Sequence, residues 1–489
     1  MKRRTFIGSS LALAALAHTR GVTGVLAAAG DLPARSLDGG EVLLRASSVE
    51  GLAGNLRGEL LAPTAEGYDS ARRLWNGMFD RRPALIARCT GPADVIEAVN
   101  FAREHRLLTA VRCGGHSFSG KSSCDGGLMI DLSPMQGCRV DPTARRAFLE
   151  GGSLLGVLDR ECQVFGLAVT AGVVKHTGAG GLTLGGGFGR LGRSFGLACD
   201  NVASFDVVTA GGEMLQASES SHPDLYWGLR GGGGNFGVVT SFEYRVHPIG
   251  RTVLAGDVTW PLDQARDAMR FWNEQARAAP DGLNLNASVV AQPGGKGIFA
   301  VEACWVGDMA KGERAVAALR AFGKPLSDTI APMGYVALQA KSDSPHGLNY
   351  YAKNGFLSTL DDAGIDLILD AARSHPGRFR VALDHAGGAY SRMPQDATAF
   401  PNRSAIYWIG LLSGWKDPGE NDERIAGVRG AWKQVEPLTE GFYSNLDLER
   451  GLEQNRSNYG ANFERLAAVK GRYDPMNLFR LNANVPPAA

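Results

Sequence analysis

From Thr90 onward the apolar positions fall at helical spacing. Pro92 and Asp94 open the run, and Val95, Ala98, Val99 and Ala102 recur at i, i+3, i+4 and i+7, which predicts an amphipathic helix. Residues 108–112 then read as a strand running into Cys113-Gly114-Gly115-His116-Ser117-Phe118-Ser119-Gly120. Strands are predicted at 128–132 and 146–150, and a helix follows with Leu154, Val157, Leu158, Cys162 and Phe165 on one face. Residues 205–209 and 213–216 form a hairpin pattern across Ala210-Gly211-Gly212, 225–229 a short helix and 238–246 a strand. After Pro248 the character changes. Helical stretches near 262–279, 309–322, 361–375 and 421–434 alternate with strand pairs near 287–292 with 297–306 and 379–385 with 404–413. Helices grouped around paired strands imply an antiparallel sheet with helices on one face. The expected fold class is therefore α+β, with a second domain over 247–435.

Composition sharpens this picture. Lys+Arg 51 against Asp+Glu 50 leaves a formal charge of +1, without the basic excess of a sequence-independent nucleic-acid binder. Glycine is the outlier: 65 of 489 residues, with no G-X-Y period and with clusters in a few stretches. Such clusters mark loops where backbone approaches a ligand closely.

The N-terminus reads Lys2-Arg3-Arg4-Thr5-Phe6-Ile7-Gly8, followed by a mildly apolar run from Ser9 to Ala17. That run is too short to span a bilayer, so no stable membrane insertion is expected. The paired arginines before Phe6 resemble a twin-arginine export signal, with small-residue cleavage sites at 15–17 and 27–29. Residues 1–29 are set aside as that signal, and the mature protein is expected to be periplasmic or secreted. The 7 cysteines include no C-x-x-C pair and the histidines no H-E-x-x-H, so no metal site is expected.

Among the glycine runs, Gly232-Gly233-Gly234-Asn235-Phe236-Gly237 matches G-x-G-x-x-G, but a helix precedes it and a strand follows, the reverse of a dinucleotide-binding turn. Gly114-Gly115-His116-Ser117 sits directly after a strand, beside Arg112 and ahead of Gly120. Successive N–H groups in such a turn form an anion-binding nest suited to a diphosphate.

These residues, taken with others in order, resemble one family: the FAD-linked oxidoreductases of the berberine bridge enzyme type, within the vanillyl-alcohol oxidase superfamily. The resemblance runs from Tyr68-Asp69-x-x-Arg72 and Trp75-Asn76-Gly77 through Val111-Arg112-x-Gly114-Gly115-His116-Ser117-x-x-Gly120, Gly185-Gly186-Gly187-Phe188-Gly189, Asp224-Leu225-Tyr226-Trp227 and Gly231 to Thr240, to Tyr459-Gly460-x-Asn462 and Tyr473-Asp474-Pro475-x-Asn477-Leu478-Phe479-Arg480. It implies a two-part FAD-binding domain over 60–246, a substrate domain over 247–435, and a segment over 436–489 returning to the FAD domain. It implies covalent FAD on His116, with Arg112, Gly114, Gly115, Ser117 and Gly120 about the diphosphate. Gly178, Gly181, Gly185, Gly186 and Gly189 would admit the cofactor, Val238 would meet its adenine side, Asn482 and Asn484 its isoalloxazine and ribityl end, and Asn445 would also contact it.

Two motifs depart from the family pattern. Relatives with a second flavin bond carry Cys in G-x-C-x-x-V-G, whereas this frame reads Gly172-Val173-Val174-Lys175-His176-Thr177-Gly178, so a single attachment is expected. Thr177 replaces the apolar residue near the oxygen face of the flavin. The catalytic Y-x-N-Y of alcohol-oxidising relatives reads Tyr443-Ser444-Asn445-Leu446. The base is then Tyr443, or a second-domain group among Tyr351, Lys353, Asp384, His385, Tyr390 and Tyr407. Alternation puts Tyr407 and Trp408 on opposite faces of their strand, so only one can face the flavin. Trp305, Tyr350, Tyr351, Tyr390 and Trp408 are candidates to stack on a substrate ring. The implied reaction oxidises a C–OH or C–N centre of a sugar or secondary-metabolite-like small molecule, with molecular oxygen as acceptor and hydrogen peroxide as product. A dehydrogenase with another acceptor, or a flavin-retaining binding protein without turnover, remain the alternatives.

Overall fold

The computed structural model describes residues 30–488 apart from 293, 295, 376 and 447, so the expected leader lies outside the described residues. Most strands fall in three sheets. The first has the order Glu59–Leu61, Leu85–Arg88, Leu128–Asp131, Thr109–Arg112. Its last three strands are parallel and the first antiparallel. The helix Pro92–Glu104 crosses over between them, and Val95, Ala98, Val99 and Ala102 are all fully buried, as the helical spacing requires. The second sheet is antiparallel, in the order Met214–Ser218, Val202–Val208, Val238–Arg245, Arg146–Glu150, Cys138–Asp141.

The third and largest is the antiparallel sheet expected after Pro248. Its order is Ser327–Asp328, Thr252–Pro261, Lys296–Trp305, Leu283–Gln292, Phe379–His385, Tyr407–Trp415, Asn349–Leu357, and Ala331–Gly334 also pairs with Thr252–Pro261. The helices Ala265–Ala278, Met309–Ala321, Asp362–Ser374 and Asn421–Val435 cover one face. Period-two alternation sorts the side chains. Leu285, Val289, Phe299, Val301, Val381, Leu383, Ile409 and Leu411 pack beneath the helices with Met269, Trp272, Ile368 and Trp432. Asn286, Ser288, Ala300, Glu302, Ala382, Asp384 and Trp408 look the other way, into a cavity.

The C-terminal helix Phe463–Tyr473 brings the chain back onto the second sheet, burying Phe463, Leu466 and Val469 with Trp227 and Phe236. Lys470 and Asp474 form a fully buried ion pair of 2.6 Å. Lys470 Nζ also donates to the carbonyls of Asn235 and Phe479 at 2.7 and 3.0 Å, and Asp474 accepts from the N–H groups of Leu478 and Phe479. This knot fastens the glycine run and the last residues of the chain to each other. Two strands carry no clear pattern in the sequence, Thr252–Pro261 and Asn349–Leu357. Each includes a glycine and polar residues, Gly256-Asp257 in one and Lys353-Asn354-Gly355 in the other, which read as turns until their partners are known.

Candidate active site

The cavity measures about 1090 Å³. Its wall combines the loop after Thr109–Arg112, segment 172–184, Gly233 and Gly234, the open face of the large sheet, and residues 443–446 and 481–483. The loop is braced by stacked rings that also line the cavity. Trp75 stacks on the His116 ring at 4.2 Å and 14°, and Tyr350 stacks on the other face of Trp75 at 4.0 Å and 8°. Asn76, fully buried, donates to the carbonyls of Phe118 and Tyr350 at 2.8 and 2.9 Å and accepts from Tyr350 N at 3.0 Å. The Trp75-Asn76-Gly77 motif therefore joins the loop to the edge strand of the large sheet.

His116, Gly114, Gly115, Ser117, Gly178, Gly181, Val238, Tyr443, Asn445 and Asn482 all line this cavity. Their roles differ from one another. A Cβ on Gly114 would meet Gly178 N at 2.5 Å, and one on Gly178 would meet Gly114 N at 2.4 Å, so these two glycines let two loops touch. A Cβ on Gly181 or Gly234 would meet nothing within 4 Å, and one on Gly233 only Asn235 Nδ2 at 3.8 Å. These three open onto free space. Gly233 and Gly234 belong to the run whose strand order argues against a dinucleotide turn; what the pattern does not reveal is that the run borders the site by its own backbone.

Other expected positions lie elsewhere. Gly185, Gly186 and Gly189 are packed by protein: their Cβ atoms would strike Asn445 Oδ1 at 2.1 Å, the Phe400 ring at 2.6 Å and Ala171 O at 1.9 Å. Gly120 is a turn with φ of +69° against Phe79. The Arg112 guanidinium donates to the Ala71 carbonyl and lines a separate surface pocket with Glu66 and Asp131. Asn484 is not part of the wall, and its carbonyl accepts from Asn455 Nδ2 at 3.4 Å.

The second-domain candidates are divided by strand parity. Tyr407 and His385 face the helices. The Tyr407 hydroxyl donates to Asn273 Oδ1 at 2.8 Å, and His385 lies between Arg193 Nη1 at 3.1 Å and Leu285 N at 3.3 Å, its pKa driven far down by burial. The Tyr390 hydroxyl donates to the Asn402 carbonyl within a cluster with Phe400. Tyr351 accepts from Arg429 Nε, Lys353 pairs with Glu449, and Trp305 donates to the Asp308 carbonyl. None of these reaches the wall, whereas Asp384, Tyr350 and Trp408 do.

Asp384 has no hydrogen-bond partner among the described residues, and burial lifts its carboxyl to about 6 against the opposing pull of Arg380. Glu302 is instead clamped by Arg190, Nε to Oε1 at 2.8 Å and Nη2 to Oε2 at 2.9 Å. The Tyr443 oxygen accepts from Gly187 N at 3.1 Å and Asn445 Nδ2 at 2.7 Å. Residues 444–446 are a tight helical turn and not an extended segment, so Asn445 folds back onto Tyr443. Burial still raises the Tyr443 phenol above its ordinary value, with the two donors opposing. Asn354, which no sequence signal marks, accepts from Tyr443 N at 2.7 Å and Trp408 Nε1 at 3.2 Å.

The residues present fit FAD. The buried Nε2 of His116 and Oδ1 of Asn482 have no partner among the described residues, and backbone without side chains borders open space at three glycines. Burial, and then His176 and His346, push the His116 imidazole down to about 3, so it is neutral. Val174 stands in the wall where a second attachment would need sulfur; Cys113 also borders the cavity, but burial raises its thiol to about 11.

Comparison with known proteins agrees with this chemistry. Residues 83–218 match the family model described as FAD binding domain, and 443–486 the model described as berberine and berberine like. An FAD-linked oxidoreductase of Dictyostelium discoideum is 33% identical over 88% of this chain and 95% of its own length. The (R)-6-hydroxynicotine oxidase of Paenarthrobacter nicotinovorans is 31% identical over 88% and 97%. The chitooligosaccharide oxidase of Gibberella zeae is 27% identical over 88% and 92%. A crystal structure of 6-hydroxy-D-nicotine oxidase from Arthrobacter nicotinovorans superposes with a TM-score of 0.80 at 30% identity, covering 88% of this chain and 98% of that one. With the glycine-bordered cavity and the helix-backed antiparallel sheet, these matches establish that the chain belongs to the FAD-linked oxidoreductases of the berberine bridge enzyme type.

Proposed function

We propose that this protein is an exported oxidase that holds FAD covalently through His116 alone and oxidises a C–H bond beside oxygen or nitrogen in a small ring-bearing molecule. In this reading residues 60–246 and 436–489 hold the cofactor and 247–435 the substrate. The observation that carries it is the convergence on one cavity of a neutral His116, whose buried Nε2 has no partner among the described residues, and of Asp384, whose carboxyl burial lifts to about 6. Flavin, when bound, supplies the hydride acceptor and the means of passing electrons to dioxygen, with hydrogen peroxide as product.

The chain's residues supply the rest. Asp384 takes the proton from the substrate O–H or N–H; a carboxyl near 6 is largely ionised at neutral pH and still basic enough to accept one. Tyr443 accepts bonds from Gly187 and Asn445, which leaves its own O–H to donate into the cavity and orient the substrate. Tyr350 and Trp408 offer ring faces. The names of the relatives, one an oxidase of hydroxynicotine and one of chitooligosaccharides, support a polar ring as substrate. Thr177 borders the cavity with the bulk of valine, which supports access for oxygen.

A panel of cyclic amines, sugars and phenolic alcohols tests this, read first as anaerobic bleaching of the flavin band and then as peroxide on admitting air. Bleaching followed by peroxide is expected. Bleaching without peroxide would make the protein a dehydrogenase, and no bleaching across the panel would favour a binding protein.

A further inference from the structure

His176 has no part in the reaction above, yet its environment is unusual. Both its ring nitrogens are buried without a partner among the described residues, as is Nε2 of His116. The rings of His116 and His176 lie 5.0 Å apart, and His176 lies 4.6 Å from the exposed His346. A buried polar atom without a partner is costly, because its desolvation is not repaid by a hydrogen bond. A loop side chain that merely filled space would bear that cost twice for nothing. The segment is also held in place: the neighbouring Lys175 is fixed to Asp343, its N–H at 3.1 Å and its Nζ at 2.7 Å. Trp75 stacks across His116, so that ring is braced as well. Three imidazoles thus run in sequence from the cavity wall to the surface.

We propose that His176 is the proton acceptor for attachment of flavin to His116, handing the proton to His346 and solvent. The proposal rests on the covalent reading given above. Attachment joins an imidazole nitrogen of His116 to the 8α carbon of bound FAD. One C–H bond at that carbon and the imidazole N–H are broken. Two protons leave, and two electrons stay on the ring system until dioxygen takes them, with two protons, as hydrogen peroxide. A neutral His116 presents the lone pair that forms the bond, but its N–H becomes acidic as the bond forms, and His176 is the imidazole placed to receive that proton. Lys175 at the surface, already committed to Asp343, does not compete for it.

The test uses the full chain from cells limited for riboflavin, supplied with FAD in air. Total bound flavin is read by absorbance, and the covalent fraction by fluorescence of the denatured protein on a gel, so neither readout depends on substrate turnover. His176→Ala should bind FAD with an affinity close to the parent but attach it about 10²-fold more slowly, and free imidazole should restore part of the rate. His176→Gln keeps a polar side chain of similar volume without a base, so it should be equally slow; it decides the matter if His176→Ala proves too unstable to bind FAD. Attachment in either variant within about threefold of the parent would overturn the proposal. A parent that releases all its flavin on denaturation would overturn the covalent reading itself, and the proposal with it. His116→Ala, which should bind flavin and attach none, marks that baseline.

Discussion

At the scale of single residues, one strand position separates the proposed base from a core residue. Asp384 and His385 are neighbours, but alternation sends the first to the cavity and the second beneath the helices. The same parity sends Trp408 one way and Tyr407 the other. The sequence makes it legible that only one of Tyr407 and Trp408 can face the flavin, but not which, because that depends on which face the helices cover. Asp384→Asn is expected to slow anaerobic flavin reduction by about 10²-fold or more, and to abolish a rise in the parent's rate with pH centred near 6. Stability should move in the opposite sense. A carboxyl raised on folding binds its proton more tightly in the folded state, so its contribution is present at pH 4 and lost as pH rises through about 6. Asp384→Asn should therefore melt no lower than the parent at pH 8, and the difference between them should vanish towards pH 4. Tyr443→Phe should also slow reduction, but without removing the pH dependence, because the phenol donates and does not titrate in that range.

Elements were legible where periodicity ran unbroken. The helix Pro92–Glu104, the hairpin Val202–Val208 with Met214–Ser218, and the four helices over the large sheet all lie within a few residues of their expected bounds. The strand Asn349–Leu357 was illegible because its polar residues serve neighbours distant in sequence. Asn354 is the clearest case: its Oδ1 meets Tyr443 N and Trp408 Nε1, its Nδ2 meets the Leu446 carbonyl at 3.3 Å, and the side chain is buried. Most of the cofactor loop could be read directly, because its residues are consecutive. The cavity wall on the large sheet could not, because it is assembled from alternate residues of separate strands. Asn354→Ala leaves a buried N–H of Tyr443 and the indole of Trp408 unpaired, at about 1–3 kcal/mol for each group. Thermal melting should fall by several degrees. Flavin reduction should slow because the turn carrying Tyr443 and Asn445 loses its anchor, while the covalent flavin content stays at the parent level.

At the scale of the whole molecule, the site exists only because the chain closes on itself. Gly233 and Gly234 come from its middle and Asn482 from its end, and Lys470 joins them through Asn235, Asp474 and Phe479. Removing one partner of a buried ion pair typically costs about 3–5 kcal/mol, so Lys470→Met should lower stability by that order and loosen FAD in the same measure. A chain folded around its cofactor also suits export in the folded state. Arg3→Lys combined with Arg4→Lys should leave active, flavin-loaded protein in the cytoplasm, as assayed by fractionation; unchanged export would contradict the twin-arginine reading. How the flavin is held is the most direct point of test. Proteolysis of the denatured holoprotein and mass spectrometry of the flavin-bearing peptides measures this. The expected result is a single class of peptide, spanning His116 and carrying FAD on the histidine. Flavin recovered free in the acid supernatant, or bound to any cysteine, would contradict it.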